Sequence, residues 1–136
     1  MAKPDILNRE DIALLIRSFY EKVKRNEKIG YIFNDVAKVD WEHHLPIMYD
    51  FWENVLFQTG TYSRNAIGVH KQLNQLTPLN REHFSEWLML WKETVDELYS
   101  GSNAELIKQR ATSIATVMQI SILQEGISRK DQLKNP

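Results

Sequence analysis

An all-α domain is the fold class this sequence predicts, and three observations carry it. Glycine (5) and proline (4) are scarce among 136 residues. Apolar residues recur every three to four positions through most of the chain, the spacing of one helix face. No stretch alternates apolar and polar residues long enough to read as a strand. The length fits a single domain over residues 1–136, with a core over about 8–126 and loose ends at the first few residues and the 127–136 tail.

The first helix opens at Asn8, with Asp11 three residues on as a partial capping box. Ile12, Leu15, Ile16, Phe19, Tyr20 and Val23 line one face. Asn26 to Gly30 breaks the run, and Tyr31-Ile32-Phe33 predicts a short helical turn ending at Asn34-Asp35. Asp40 caps the next helix, which runs to Gln58 and stops at Gly60. A shorter helix is expected from Asn65 through Gly68 and His70 to Leu73. Asn80 then caps a long helix in which Leu79 and Phe84 form a hydrophobic staple. It carries Phe84, Trp87, Leu88, Trp91, Val95 and Leu98 inward and ends at Ser100-Gly101. A capping box from Ser102 to Glu105 opens the last helix, which presents Ile107, Ala111, Ile114, Met118 and Ile122.

Composition narrows the function classes. Apolar residues are 43% and charged residues 26%, with a formal net charge of −1. That balance argues against disorder and gives no basic excess for binding nucleic acid. Cysteine is absent, which excludes disulfide scaffolds, thiolate metal sites and cysteine nucleophiles. No apolar run has the length of a signal sequence or a membrane span, so a cytoplasmic protein away from membranes is the expectation.

The four histidines are the most informative residues. With Met48 at zero and about 100° per residue, Trp41, Leu45 and Trp52 fall near +20°, +60° and +40°. His44 falls near −40°, inside this apolar face, whereas His43 falls near −140° and points to solvent. His70 sits between Ala66, Ile67 and Leu73, and His83 belongs to a first helical turn. A single inward histidine reads most simply as a buried ring bonded to a carbonyl. Two on different helices, both among bulky apolar residues, open the alternative of a ligand site.

The residue set narrows what such a site could hold. A di-iron bundle needs Glu-x-x-His on two helices, and Asp40, Trp41, Ile67 and Asn80 stand three residues before the histidines. Zinc wants further ligands, with carboxylates nearby. A slot lined by Phe, Trp, Met, Leu and Tyr suits a flat apolar macrocycle whose metal takes one imidazole.

The segments Phe19-Tyr20, Ile29-Gly30-Tyr31-Ile32-Phe33, Trp41-x-x-His44, Phe51-Trp52, His70 and His83-Phe84-x-x-Trp87-Leu88 resemble the truncated haemoglobins, and fit their third group best. The likeness runs from about Ile12 to Ile122. It implies a two-over-two helical sandwich around haem b, with His70 as the proximal iron ligand. Tyr20, His44 and Trp87 match the distal polar positions around a bound ligand. Phe33 matches the aromatic residue packed on the macrocycle and Met48 the apolar residue a turn beyond the distal histidine. Phe51 and Leu73 complete the cofactor-binding set. His83 matches no iron ligand and reads as a helix-start residue near a propionate. Pro46 deletes one helical hydrogen bond, predicting a kink or a late start beside His44. Core packing accounts for Trp41, Trp52 and Trp91.

The resemblance implies binding of oxygen and other diatomic ligands at a penta-coordinate or weakly hexa-coordinate iron. Dioxygenase- or peroxidase-like turnover of oxygen, nitric oxide or peroxide would add an electron donor or reductase as partner. The alternatives are oxygen storage, delivery or sensing without catalysis, and a haem-free helical interaction module.

Overall fold

Asn8 starts helix α1, Arg9–Arg25, as its residue type and position predict. The structure, a computed structural model, describes residues 3–59 and 79–134, with side chains through Leu123. The Asn8 side chain accepts from Asp11 N–H at 3.0 Å, satisfying one of the orphan donors of the first turn. The Asp11 carboxylate reaches one residue past a regular capping box, accepting from Leu7 N–H at 2.9 Å. Ile12, Leu15, Ile16, Phe19, Tyr20 and Val23 are all buried, the face that the spacing predicts.

Gly30 lets the following turn close on the end of α1. A Cβ there would lie 2.9 Å from the carbonyl oxygens of both Val23 and Lys24, a contact backbone atoms cannot relieve. The turn expected around Phe33 is a π-helical turn, Ile32–Val36. Its wide geometry shows in the bond from Ala37 N–H to the Ile32 carbonyl, 2.8 Å.

Helix α2 spans Trp41–Phe57. Asp40 occupies the N-cap position, but its side chain makes no capping hydrogen bond. Pro46 lies inside the helix without delaying its start. The left-handed residue that ends it is Gln58, at φ 57°, two positions before the glycine expected to stop it.

Helix α3, Arg81–Leu98, begins with a reciprocal box: Asn80 accepts from His83 N–H at 3.1 Å, and Asn80 N–H donates to His83 Nδ1 at 3.2 Å. Leu79 packs on the Phe84 cluster, as the staple requires. Leu90 and Thr94 join Phe84, Trp91 and Val95 as buried residues.

Helix α4, Ser102–Lys134, departs from the expected capping box. Ser102 is already helical, and Glu105 N–H bonds to the Gly101 carbonyl at 3.0 Å. The cap comes from far away in the chain. The Asp5 carboxylate accepts from Asn103 N–H at 3.0 Å and Ala104 N–H at 2.9 Å. Gly101, at φ 135°, has room for no side chain because Asp5 fills the space where its Cβ would be. The helical backbone continues through residues 127–134, part of the tail expected to be loose.

Among the described residues every element is helical. Helix α1 packs on α2 and α3, and α4 packs on α3 and α2, giving the two-over-two arrangement. At the centre Phe19, Trp52 and Trp91 interlock: Trp52 stacks on Trp91 at 4.3 Å, and Phe19 meets Trp91 edge-on at 4.9 Å. Rings in these geometries gain attraction beyond their buried area.

Candidate functional site

Two of the predicted polar residues, Tyr20 and His44, meet beside the π-helical turn where α1 faces the start of α2. Tyr20 is buried, and burial pushes its phenol pKa well up. The hydroxyl therefore stays protonated and able to donate. It makes no hydrogen bond to any described residue. Four aromatic rings surround it: Phe19 at 5.0 Å, Trp41 at 5.0 Å, His44 at 5.7 Å and Phe33 at 6.0 Å.

Phe33 arrives through the π-helical turn, which Asn34 holds by donating to the Lys24 carbonyl at 3.1 Å. Asn26 ties the same loop to α3 by donating to Glu86 at 2.8 Å. His44 arrives on the first turn of α2, its N–H bonded to the Asp40 carbonyl at 2.8 Å. Its ring lies between Tyr20 and Trp41, each 5.7 Å away, and its Nε2 is buried. His43 is exposed. The helical spacing thus chose the inward neighbour correctly.

Met48 and Phe51 continue the α2 face, half-buried against the core. Trp87 is half-buried on α3, parallel to Trp91 within 7° at 6.0 Å and stacked on Trp52 at 6.4 Å. It joins the Tyr20 group through Phe19, which meets it edge-on at 5.7 Å. Its indole N–H has no hydrogen-bond partner among the described residues, whereas that of Trp91 donates to the Ile107 carbonyl at 3.4 Å.

His83, besides capping α3, lies 3.4 Å through Nε2 from the Tyr31 hydroxyl. The expected proximal residues His70 and Leu73 lie outside the described residues. Among the described residues no group of three His, Cys, Asp or Glu could hold a metal ion.

Core packing describes Trp52 and Trp91 and, at its edge, Trp41, which packs against the same cluster. That ring is half-buried and touches Tyr20, Phe33 and His44, with the Lys24 ammonium 4.6 Å from its centroid. Part of this was available in the sequence, since Trp41 and His44 are three residues apart on one helix. The contacts from Phe33 and Lys24 come from other elements.

No family model matches the chain. A curated relative, Group 3 truncated hemoglobin ctb of Campylobacter jejuni, is 32% identical over 127 residues, covering 91% of this chain and 98% of the relative. The crystal structure of group III truncated hemoglobin from Campylobacter jejuni superposes with a TM-score of 0.77 at 32% identity, covering 88% of this chain and 94% of that one.

Proposed function

This chain belongs to the group 3 truncated haemoglobins, and from that premise we propose that it holds haem b and binds oxygen and related diatomic ligands beside Tyr20, His44 and Trp87. His70 would hold the iron, with Leu73 beside it on the proximal side. Phe33, Met48 and Phe51 would cover the macrocycle. Haem, when bound, supplies an iron that takes up a diatomic ligand.

The observation that carries this reading is Tyr20, a buried residue whose hydroxyl has no hydrogen-bond partner among the described residues and is ringed by Phe33, Trp41 and His44. A phenol set among rings with no partner from the chain is free to serve a bound ligand. The half-buried apolar faces of Phe33, Met48 and Phe51 suit a flat apolar group.

The Tyr20 O–H, the Trp87 indole N–H and a His44 ring N–H are donors that stabilise negative charge on a bound oxygen. Each such bond contributes about 1.5–3 kcal/mol, so two slow oxygen loss roughly 10²–10⁴-fold. Slow release suits a carrier poorly and suits redox turnover of oxygen, nitric oxide or peroxide. There the same donors help polarise an O–O bond, and an external reductase supplies the electrons.

Adding haem to the purified protein and recording the visible spectrum tests the reading. A saturable Soret band at one haem per chain is expected, together with an iron–histidine Raman stretch that His70→Ala removes. Absence of the band overturns the function, and an unchanged stretch in His70→Ala overturns the ligand assignment.

A further inference from the structure

Bonds from the His43 and His44 N–H groups to the Asp40 carbonyl hold the backbone at the start of α2, but they do not set the direction of a side chain. Asp40 supplies no side-chain cap, and Pro46 has no N–H to offer the Glu42 carbonyl. The direction of the His44 ring must therefore come from its neighbours. Among the described residues two rings meet it, Tyr20 at 5.7 Å and Trp41 at 5.7 Å, both edge-on. Tyr20 is buried on α1 and fixed by its own helix. Trp41 is half-buried and is held from other elements: Phe33 lies stacked at 6.2 Å, and the Lys24 ammonium sits 4.6 Å from the ring centroid. Lys24 is steadied in turn by Glu21, 3.2 Å away. A cation over an indole is the strongest form of this contact.

We propose that Trp41, clamped by Lys24, is the positioning residue that fixes the His44 ring toward the ligand, an inference that rests on the haem-pocket reading above. The chain of contact runs from Lys24 on α1 to Trp41 and then to His44, and crosses between helices at the ring. A tryptophan that only filled the core would need no cation against it. Loss of either member lets the imidazole take more than one direction, so a bound ligand meets a mixed donor field.

The carbon monoxide complex of the haem-loaded protein reads this directly, because the C–O stretching frequency follows the donors around the ligand. Trp41→Leu is expected to shift or split the wild-type infrared band. Lys24→Met is expected to change it in the same direction but less, and Lys24→Arg to restore it. Oxygen release should change about two- to tenfold in Trp41→Leu, within the usual coupling between residues in contact. Both effects should vanish when the substitutions are made in His44→Leu.

Lys24 is on the surface, so its variant tests the clamp even if Trp41→Leu folds poorly. A wild-type band in both variants overturns the proposal. So does a change that persists in the His44→Leu background, since Trp41 would then act by another route. A wild type that takes up no haem removes the underlying reading instead, so the two failures are distinguishable.

Discussion

Tyr20 and Tyr99 are both buried, at 6% and 4% exposure, yet their hydroxyls stand in opposite situations. Tyr99 donates to the Asp11 carbonyl at 2.7 Å, whereas Tyr20 donates to no described residue. The two parallel tryptophans repeat the contrast: Trp91 donates to the Ile107 carbonyl and Trp87 has no described partner. The Tyr99 region is closed by further bonds. Asn103 donates through its side chain to the Ile6 carbonyl at 2.7 Å, Asp5 caps α4, and Ser100 N–H bonds to the Pro4 carbonyl at 2.9 Å. Where polar groups serve only the fold, their valences are filled from within the chain. Where donors are left over beside an apolar face, as at Tyr20 and Trp87, the chain leaves positions whose partner a bound group could supply.

The largest expected effect lies in the closed region. Trp91 is fully buried among Phe19, Trp52 and Trp87. Trp91→Ala should cost about 3–5 kcal/mol through lost contacts and the cavity left behind. Urea unfolding of the apoprotein measures it. A loss below about 1 kcal/mol, no more than an average point substitution, would mean that this cluster is not the centre of the fold.

Next in size are the unpartnered donors, where the effect should fall mainly on ligand release. Tyr20→Phe and Trp87→Phe should each speed oxygen release about tenfold or more. The urea midpoint of Tyr20→Phe should stay near wild type, because only a hydroxyl without a described partner is removed, whereas Trp87→Phe also gives up ring contact with Trp52 and Trp91 and should lower it modestly. The two effects need not add, since donors converging on one ligand replace one another. Stopped-flow oxygen release tests this. Fast wild-type release, untouched by either change, would return the protein to the storage and delivery reading.

Smaller effects of opposite character belong to Tyr99 and Asp5. Tyr99→Phe should destabilise by about 1 kcal/mol, with no change in ligand release. The Asp5 carboxyl is partly desolvated, which raises its pKa, but N–H groups of Asn103, Ile6 and Ala104 outweigh this and hold it below the usual range. Its capping contribution is therefore full above the ordinary carboxylate pKa of about 4 and is lost as pH falls through the lower folded value. Asp5→Asn replaces one of the two accepting oxygens by an NH2 group, which should cost about 0.5–1.5 kcal/mol near neutrality and flatten the acid side of the stability profile. An unchanged acid limb in the variant would show that the cap contributes nothing.

What could be read from the chain follows the range of each interaction. Caps at Asn8 and Asn80, the Leu79–Phe84 staple and the buried face of α1 depend on residues within a turn or two, so their spacing exposes them. The Asp5 cap joins residues 98 positions apart, and the nearby Ser102–Glu105 pair offered a local substitute that the fold does not use. In the candidate site, periodicity separated His44 from His43, because one helix decides which of them faces inward. Tyr20 and Trp87 are apolar-face residues by spacing alone, and their proposed assignment as donors rests on resemblance. Trp41 packs against the core as its place on α2 suggests, but its contacts with Phe33 and Lys24 come from other elements and leave no trace in that spacing.

The smallest expected effect comes from His43, and it separates the regions within two adjacent residues. The His44 ring is packed between Tyr20 and Trp41, and His43 faces solvent on the same turn of α2. A leucine at 43 removes no described ring contact and lies away from the aromatic group. Surface substitutions of this kind change stability by less than about 0.5 kcal/mol, and oxygen release and the ferric spectrum should not move. His44→Leu exchanges a candidate donor for an apolar side chain in the site, so both ligand kinetics and the ferric spectrum should change. The pair shares residue type and helix, at adjacent positions just before Pro46, which makes each the control for the other. If His43→Leu has the larger effect, α2 is rotated in solution from the orientation described, and the assignment of donors on its inner face fails with it.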